Sequence, residues 1–136
     1  MNILKVALLQ IAPEGSLENN MKKGAEYCRE AKKMGADIAL FPEMFSNGYD
    51  IYDRPEAEWT ADAIGEDSAF VCEFGRLACE LDMAIAITFL KKGTERPENS
   101  MVLFDRRGGK VLSYSKVHTP AISAPKRHLP RAMGSV

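Results

Sequence analysis

Two residues in this sequence are placed to do acid–base and electrostatic chemistry. Glu43 follows an apolar run and a proline in Leu40-Phe41-Pro42-Glu43-Met44-Phe45. In α/β sheets, ligands bind at the carboxyl ends of strands. A carboxylate there, flanked by Phe41, Met44 and Phe45, is expected to be partly desolvated and so a usable general base. On position alone, a solvated loop glutamate or a helix-start carboxylate is the commoner occupant of such a position. Lys116 closes a second apolar stretch, in Ser113-Tyr114-Ser115-Lys116-Val117-His118. A lysine at a strand end beside a carboxylate can stabilise a developing oxyanion, although surface lysines are more frequent. His118 reads first as a surface or hydrogen-bonded histidine. No Cys, Asp or second His stands at a metal-ligand spacing from it, so no metal site is expected.

The remaining reactive types are weaker candidates. Cys28, Cys72 and Cys79 fall at helical spacing among apolar residues, where a cysteine usually fills core space. Asp37, Asp53, Asp62 and Asp82 have no partner at an informative spacing. Tyr49, Tyr52 and Trp59 lie in or near a long loop that can line a pocket or simply pack, and Tyr49 is the candidate substrate contact among them.

The elements that must position these groups follow from periodicity. Residues 4–10 read as a buried strand. Residues 19–34 read as a helix, with Leu17, Met21, Ala25, Cys28 and Ala31 at steps of three and four, Ser16 as N-cap and Gly35 as stop. Residues 38–41 form a second short strand, ended by Pro42. Residues 46–58 are expected to be a loop. A second helix spans residues 68–81, capped by Asp67 or Ser68. Three strands follow, over 83–90, 100–105 and 110–115, the last two joined by the turn Arg106-Arg107-Gly108-Gly109. This order predicts an α/β sheet, parallel at first and antiparallel toward the final hairpin.

Composition limits the function classes. The 136 residues carry 18 Lys and Arg against 19 Asp and Glu, without a basic stripe, which argues against a nucleic-acid binder. No apolar run approaches the roughly 20 residues of a membrane span, and the N-terminus lacks a signal-peptide layout. Three unpatterned cysteines fit a reducing compartment, read here as cytoplasmic.

Taken together, Val6-Ala7-Leu8-Leu9-Gln10, the block from Gly35 through Phe41-Pro42-Glu43 to Tyr49, Asn99-Ser100, and Tyr114-Ser115-Lys116-Val117-His118 resemble the nitrilase, or carbon–nitrogen hydrolase, superfamily. The resemblance covers roughly residues 3–118. It implies the N-terminal half of an α-β-β-α sandwich, a mixed sheet with helices on one face. It also implies no cofactor, homo-oligomers, and a small-molecule amide, carbamoyl amine or nitrile as substrate, with amide hydrolysis favoured. The mechanism it implies is a Glu-Lys-Cys triad with Glu43 as general base and Lys116 steadying the tetrahedral intermediate. The family's cysteine lies beyond the lysine, and no cysteine follows Lys116 here. The chain as written is therefore expected to be inactive. The rival reading is a non-catalytic fragment or pseudoenzyme serving as a binding or oligomerisation module.

Residues 119–136 form a separate, irregular stretch outside the resemblance. They hold Pro120, Pro125 and Pro130, the bases Lys126, Arg127, His128 and Arg131, and no acid. Their permitted codons, read in a shifted frame, allow Cys-Asp-Phe-Gly, as in family members that carry a Lys-Val-His-Thr block. A frameshift near Thr119 is thus expected, and an apolar sheet face left without its partner predicts self-association.

Overall fold

The computed structural model describes residues 2–48 and 54–117. Its chain order is β1 (Val6–Leu8), α1 (Leu17–Lys33), β2 (Ile38–Leu40), α2 (Glu56–Ala61), α3 (Ala69–Leu81), β3 (Ala84–Lys91), β4 (Glu98–Phe104) and β5 (Lys110–Ser115). The strands form one sheet in the order β1-β2-β3-β4-β5. Pairing is parallel from β1 to β3 and antiparallel from β3 to β5, the mixed α/β sheet that the element order predicts.

Local chemistry explains most boundaries. The Ser16 side chain accepts from Asn19 N at 3.1 Å and starts α1. Gly35 N donates back to Lys32 O just after the helix. Ser68 caps α3 by accepting from Val71 N. In the β4–β5 turn, Asp105 Oδ1 accepts from Arg107 N and Gly109 N, both at 2.9 Å. Gly108 there has φ +82°, which a residue with a Cβ rarely adopts.

The six-residue helix α2 occupies part of the stretch expected to be loop. Its signal is faint because Pro55 precedes it without a side-chain cap and Trp59 is its only buried side chain. β1 is three residues long, shorter than its apolar run, because its one neighbour, β2, is equally short.

The pleat sorts the sheet into two faces. Ala7, Ala39, Ile85, Ile87, Phe89, Val102 and Phe104 share one face and form the main core with α1 and α3. That core contains the ring contacts Phe41–Phe74 (5.0 Å) and Phe70–Phe74 (5.3 Å). By alternation, the other face carries Val6, Leu8, Ile38, Leu40, Ala84, Ala86, Thr88, Leu90, Asn99, Met101, Leu103, Leu112 and Tyr114. At one end of it, Leu90 packs with Met44, Trp59 and Ala63. Elsewhere it lies open, with Leu8 64%, Leu112 49% and Tyr114 52% exposed.

Candidate active site

The site lies on this open face, at the end where β2, β3 and β5 finish and β4 begins. The antiparallel course of β4 puts its first residues beside the last residues of β5, and Lys116 N donates to Asn99 O at 2.8 Å. Glu43 stands three residues beyond β2. The result is an ion pair between residues 73 apart in sequence, with Lys116 Nζ 2.8 Å from Glu43 Oε1. The Asn99 side-chain amide donates to the same carboxylate oxygen.

The turn that presents Glu43 is fixed at many points. Phe41 N donates to Ala86 O, extending the β2–β3 pairing by one bond. Beyond Ala86, β2 no longer flanks β3, and the turn supplies the missing partners. The Thr88 hydroxyl donates to Pro42 O and accepts from Phe45 N at 3.2 Å. Ser46 Oγ accepts from Leu90 N at 3.0 Å, and Asn20 of α1 donates its amide to Ser46 O at 3.1 Å. Met44 closes the turn at φ 54°, in the left-handed region, with its side chain buried.

The groove around the pair has a volume of about 380 Å³ and is lined by Phe41, Glu43, Thr88, Asn99, Ser100, Met101, Tyr114 and Lys116. Its floor is apolar and its working groups are polar, the usual composition of a small-molecule site. The Glu43 side chain is 43% exposed and that of Lys116 37%. The desolvation expected from the neighbours of Glu43 is thus only partial, because Met44 and Phe45 turn into the core instead of covering the carboxylate. A larger cavity of about 520 Å³ lies on another side of the turn, near the start of α1, and contains the Arg54–Asp62 ion pair at 2.6 Å.

The other sequence candidates among the described residues do not line the groove. Trp59 is buried with Met44, Ala63 and Leu90, so it packs and does not line the site. Tyr49, Tyr52 and His118 lie outside the described residues. All three cysteines sit on α1 or α3, the helices across the sheet from Glu43. Cys28 is a core residue whose thiol is pushed up to about 12 by burial, with Arg29 opposing. Cys72 and Cys79 are exposed, contrary to the expectation of core fillers. Among the described residues, no group of three or more His, Cys, Asp or Glu could hold a metal ion, and no helix is long and apolar enough to cross a membrane.

Sequence reasoning gave no role to Asn99 or Thr88. Each left a readable trace. Thr88 interrupts the apolar run Ala-Ile-Ala-Ile-Thr-Phe-Leu, and Asn99 is the one polar β4 residue on a face whose other β4 residues are Met101 and Leu103.

The sequence model of the carbon-nitrogen hydrolase family matches residues 5–135. The chain belongs to this family. The resemblance carried by the Phe-Pro-Glu and Tyr-Ser-Lys-Val-His blocks is thereby met. Among curated members, the chain is 31% identical over 119 residues to a nitrilase of Pyrococcus abyssi, covering 85% of this chain and 44% of that protein. It is 27% identical over 124 residues to the N-carbamoylputrescine amidase of Oryza sativa subsp. japonica, covering 86% of this chain and 39% of that protein. The chain thus spans about two fifths of the length of the curated relatives it matches. The fold agrees with the crystal structure of a carbon-nitrogen hydrolase from Helicobacter pylori G27. The TM-score is 0.72 at 23% identity, over 87% of this chain and 41% of that one. The mixed sheet is therefore a portion of the nitrilase fold.

Proposed function

We propose that this chain supplies the general base and the cationic stabiliser of an enzyme that hydrolyses a non-peptide carbon–nitrogen bond in a small-molecule amide, carbamoyl amine or nitrile. The observation that carries the reading is the Glu43–Lys116 contact at 2.8 Å in an open groove. In the reaction, Glu43 takes the proton of an attacking thiol, which converts a weak nucleophile into a strong one near neutral pH. The thiolate adds to the amide or nitrile carbon. Lys116, held at the same carboxylate, faces the negative charge that develops on the substrate oxygen or nitrogen. For an amide or carbamoyl amine, Glu43 returns the proton to the leaving amine or ammonia as the carbon–nitrogen bond breaks; for a nitrile, the thioimidate first adds one water and then releases ammonia. A further water then cleaves the acyl-enzyme and frees the thiol. The thiol is supplied from beyond Lys116, since the three cysteines present lie on α1 and α3.

A second reading, a non-catalytic binding or oligomerisation module, is favoured by the exposed Val6, Leu8, Leu112 and Tyr114 on the groove's own face. Assay of the 136-residue chain and of a gene product extended through a downstream cysteine separates the two. The extended protein turns over amides, carbamoyl amines or nitriles, the short chain does not, and Glu43→Gln lowers the extended protein's kcat by about 10²–10⁴-fold. Turnover by the short chain that Glu43→Gln abolishes would overturn the assignment of the thiol. An inert extended protein would overturn the hydrolase reading.

A further inference from the structure

The geometry points to Thr88 as the positioning residue for Glu43, acting through the backbone of the turn that carries it; calling Glu43 a base rests on the function proposed above. Glu43 has no strand of its own to hold it. Its turn runs past the end of β2, bends at Met44 with φ 54° and must keep the carboxylate at Lys116 and Asn99. A left-handed methionine costs energy, so such a turn persists only when its surroundings over-determine it.

Thr88 bridges both sides of Glu43. Its hydroxyl donates to the carbonyl of Pro42, the residue before, and accepts from the amide of Phe45, two residues after. A hydroxyl is the smallest side-chain group that can serve one donor and one acceptor at once. The pleat makes position 88 the one that can do this. Ala86, two residues earlier, pairs with Phe41 through its backbone. Leu90, two residues later, bonds Ser46 Oγ. Thr88 lies between them on the same face, directly beneath the Glu43 turn. The flanking bonds register the turn's two ends, and the Thr88 hydroxyl fixes the carboxylate-bearing segment between them.

Valine matches threonine in shape but leaves Pro42 O and Phe45 N without this partner. The test compares the 136-residue chain with its Thr88→Val and Thr88→Ser variants by ¹⁵N NMR. It reads exchange of the Phe45 amide and the side-chain amide signals of Asn99, with Glu43→Ala marking where those signals fall once the carboxylate is gone. In Thr88→Val, Phe45 is expected to exchange about tenfold faster, and the Asn99 signals to move toward their Glu43→Ala positions. Thr88→Ser restores both. A folded Thr88→Val whose Asn99 signals stay in place would overturn the proposal. Should Thr88→Val not fold, the parent chain decides: a protected Phe45 amide that Thr88→Ser retains supports the role, and a Phe45 amide exchanging at the unprotected rate overturns it. These readouts use no turnover. An inert extended protein sinks the hydrolase reading and leaves Thr88's role standing, whereas unmoved Asn99 signals do the reverse.

Discussion

The two faces of the sheet are built from the same strands and do opposite work. On the helix-covered face, alternate residues of β3 and β4 bury Ile85, Ile87, Phe89 and Val102 against Phe70, Phe74 and Leu77 of α3. On the other face, the intervening residues include Thr88 and Asn99, which with Tyr114 of β5 line the groove of the Glu43–Lys116 pair, while Leu8 on β1 and Leu112 on β5 stay exposed at the two edges of the sheet. The first face is chemically uniform, so its energy comes from area removed from water. The second combines hydrogen-bonded polar groups with uncovered apolar side chains. The packed core and the groove of the ion pair are separated by a single residue step along β3 and β4.

Substitutions on the two faces should therefore differ sharply. The largest contrast is expected between Phe74→Ala and Leu8→Ala. Phe74 is completely buried between Phe41 and Phe70, and its truncation should cost about 3–5 kcal/mol in urea unfolding. Leu8, largely exposed, should change stability by no more than about 0.5 kcal/mol. Comparable losses at both positions would mean that the open face is covered in solution.

Gly24→Ala probes how tightly the covered face is filled. A Cβ there would sit 2.8 Å from Phe41 Cε1 and 2.9 Å from Phe74 Cζ. Overpacking of about 1–3 kcal/mol outweighs the helix propensity gain of about 1 kcal/mol. Denaturation should show a net loss on the order of 1 kcal/mol.

Cys28 gives the covered face a pH signature. Burial pushes its folded thiol up to about 12 from the ordinary range near 9, so above about pH 9 the unfolded chain releases this proton while the folded chain keeps it. The unfolded state then binds fewer protons, and stability falls as pH rises from about 9 to 12, by up to about 1.4 kcal/mol per pH unit. Cys28→Ala should flatten that part of the alkaline profile, which urea titration across this range checks. The carboxylates of Glu66 and Glu73 act in the opposite direction. Ser113, then Lys110 and Lys91, hold Glu66 below the usual range, and Arg76 holds Glu73 there. Their contribution is present at neutral pH and is lost as pH falls through those lowered values.

The smallest effect on stability, within about 0.5 kcal/mol, is expected for Leu112→Lys on the open face. Its readout is association: if the β5 edge of this face, with Leu112 and Tyr114 exposed, pairs with another copy, the added charge should lower the oligomeric fraction in light scattering. An unchanged distribution would mean that this edge of the face does not mediate association.

Particular residues show what could be read beforehand. The bounds of α3 and β5 were legible because Ser68 is a capping residue and Gly108 marks the turn before Lys110. Glu43 was legible as a candidate because Pro42 ends an apolar run, and Lys116 because it terminates another. Helix α2 was not legible, since a six-residue helix with one buried side chain has no measurable period. The exposure of Cys72 and Cys79 was missed for a related reason. Apolar spacing identifies a helix face, but how far that face extends under its neighbours depends on what packs there.

The sequence by itself determined the family, the order of the five strands and the two long helices, and the two charged residues on which the proposed chemistry rests. Local propensity, capping and proline placement act within a few residues and are written directly in the chain. The tertiary structure alone decided that Glu43 and Lys116 share one carboxylate contact, that Asn99 joins them, and that Thr88 anchors the turn between. Those contacts depend on the direction of β4 and on the pairing register. Shifting the register by one residue would carry every strand side chain to the opposite face.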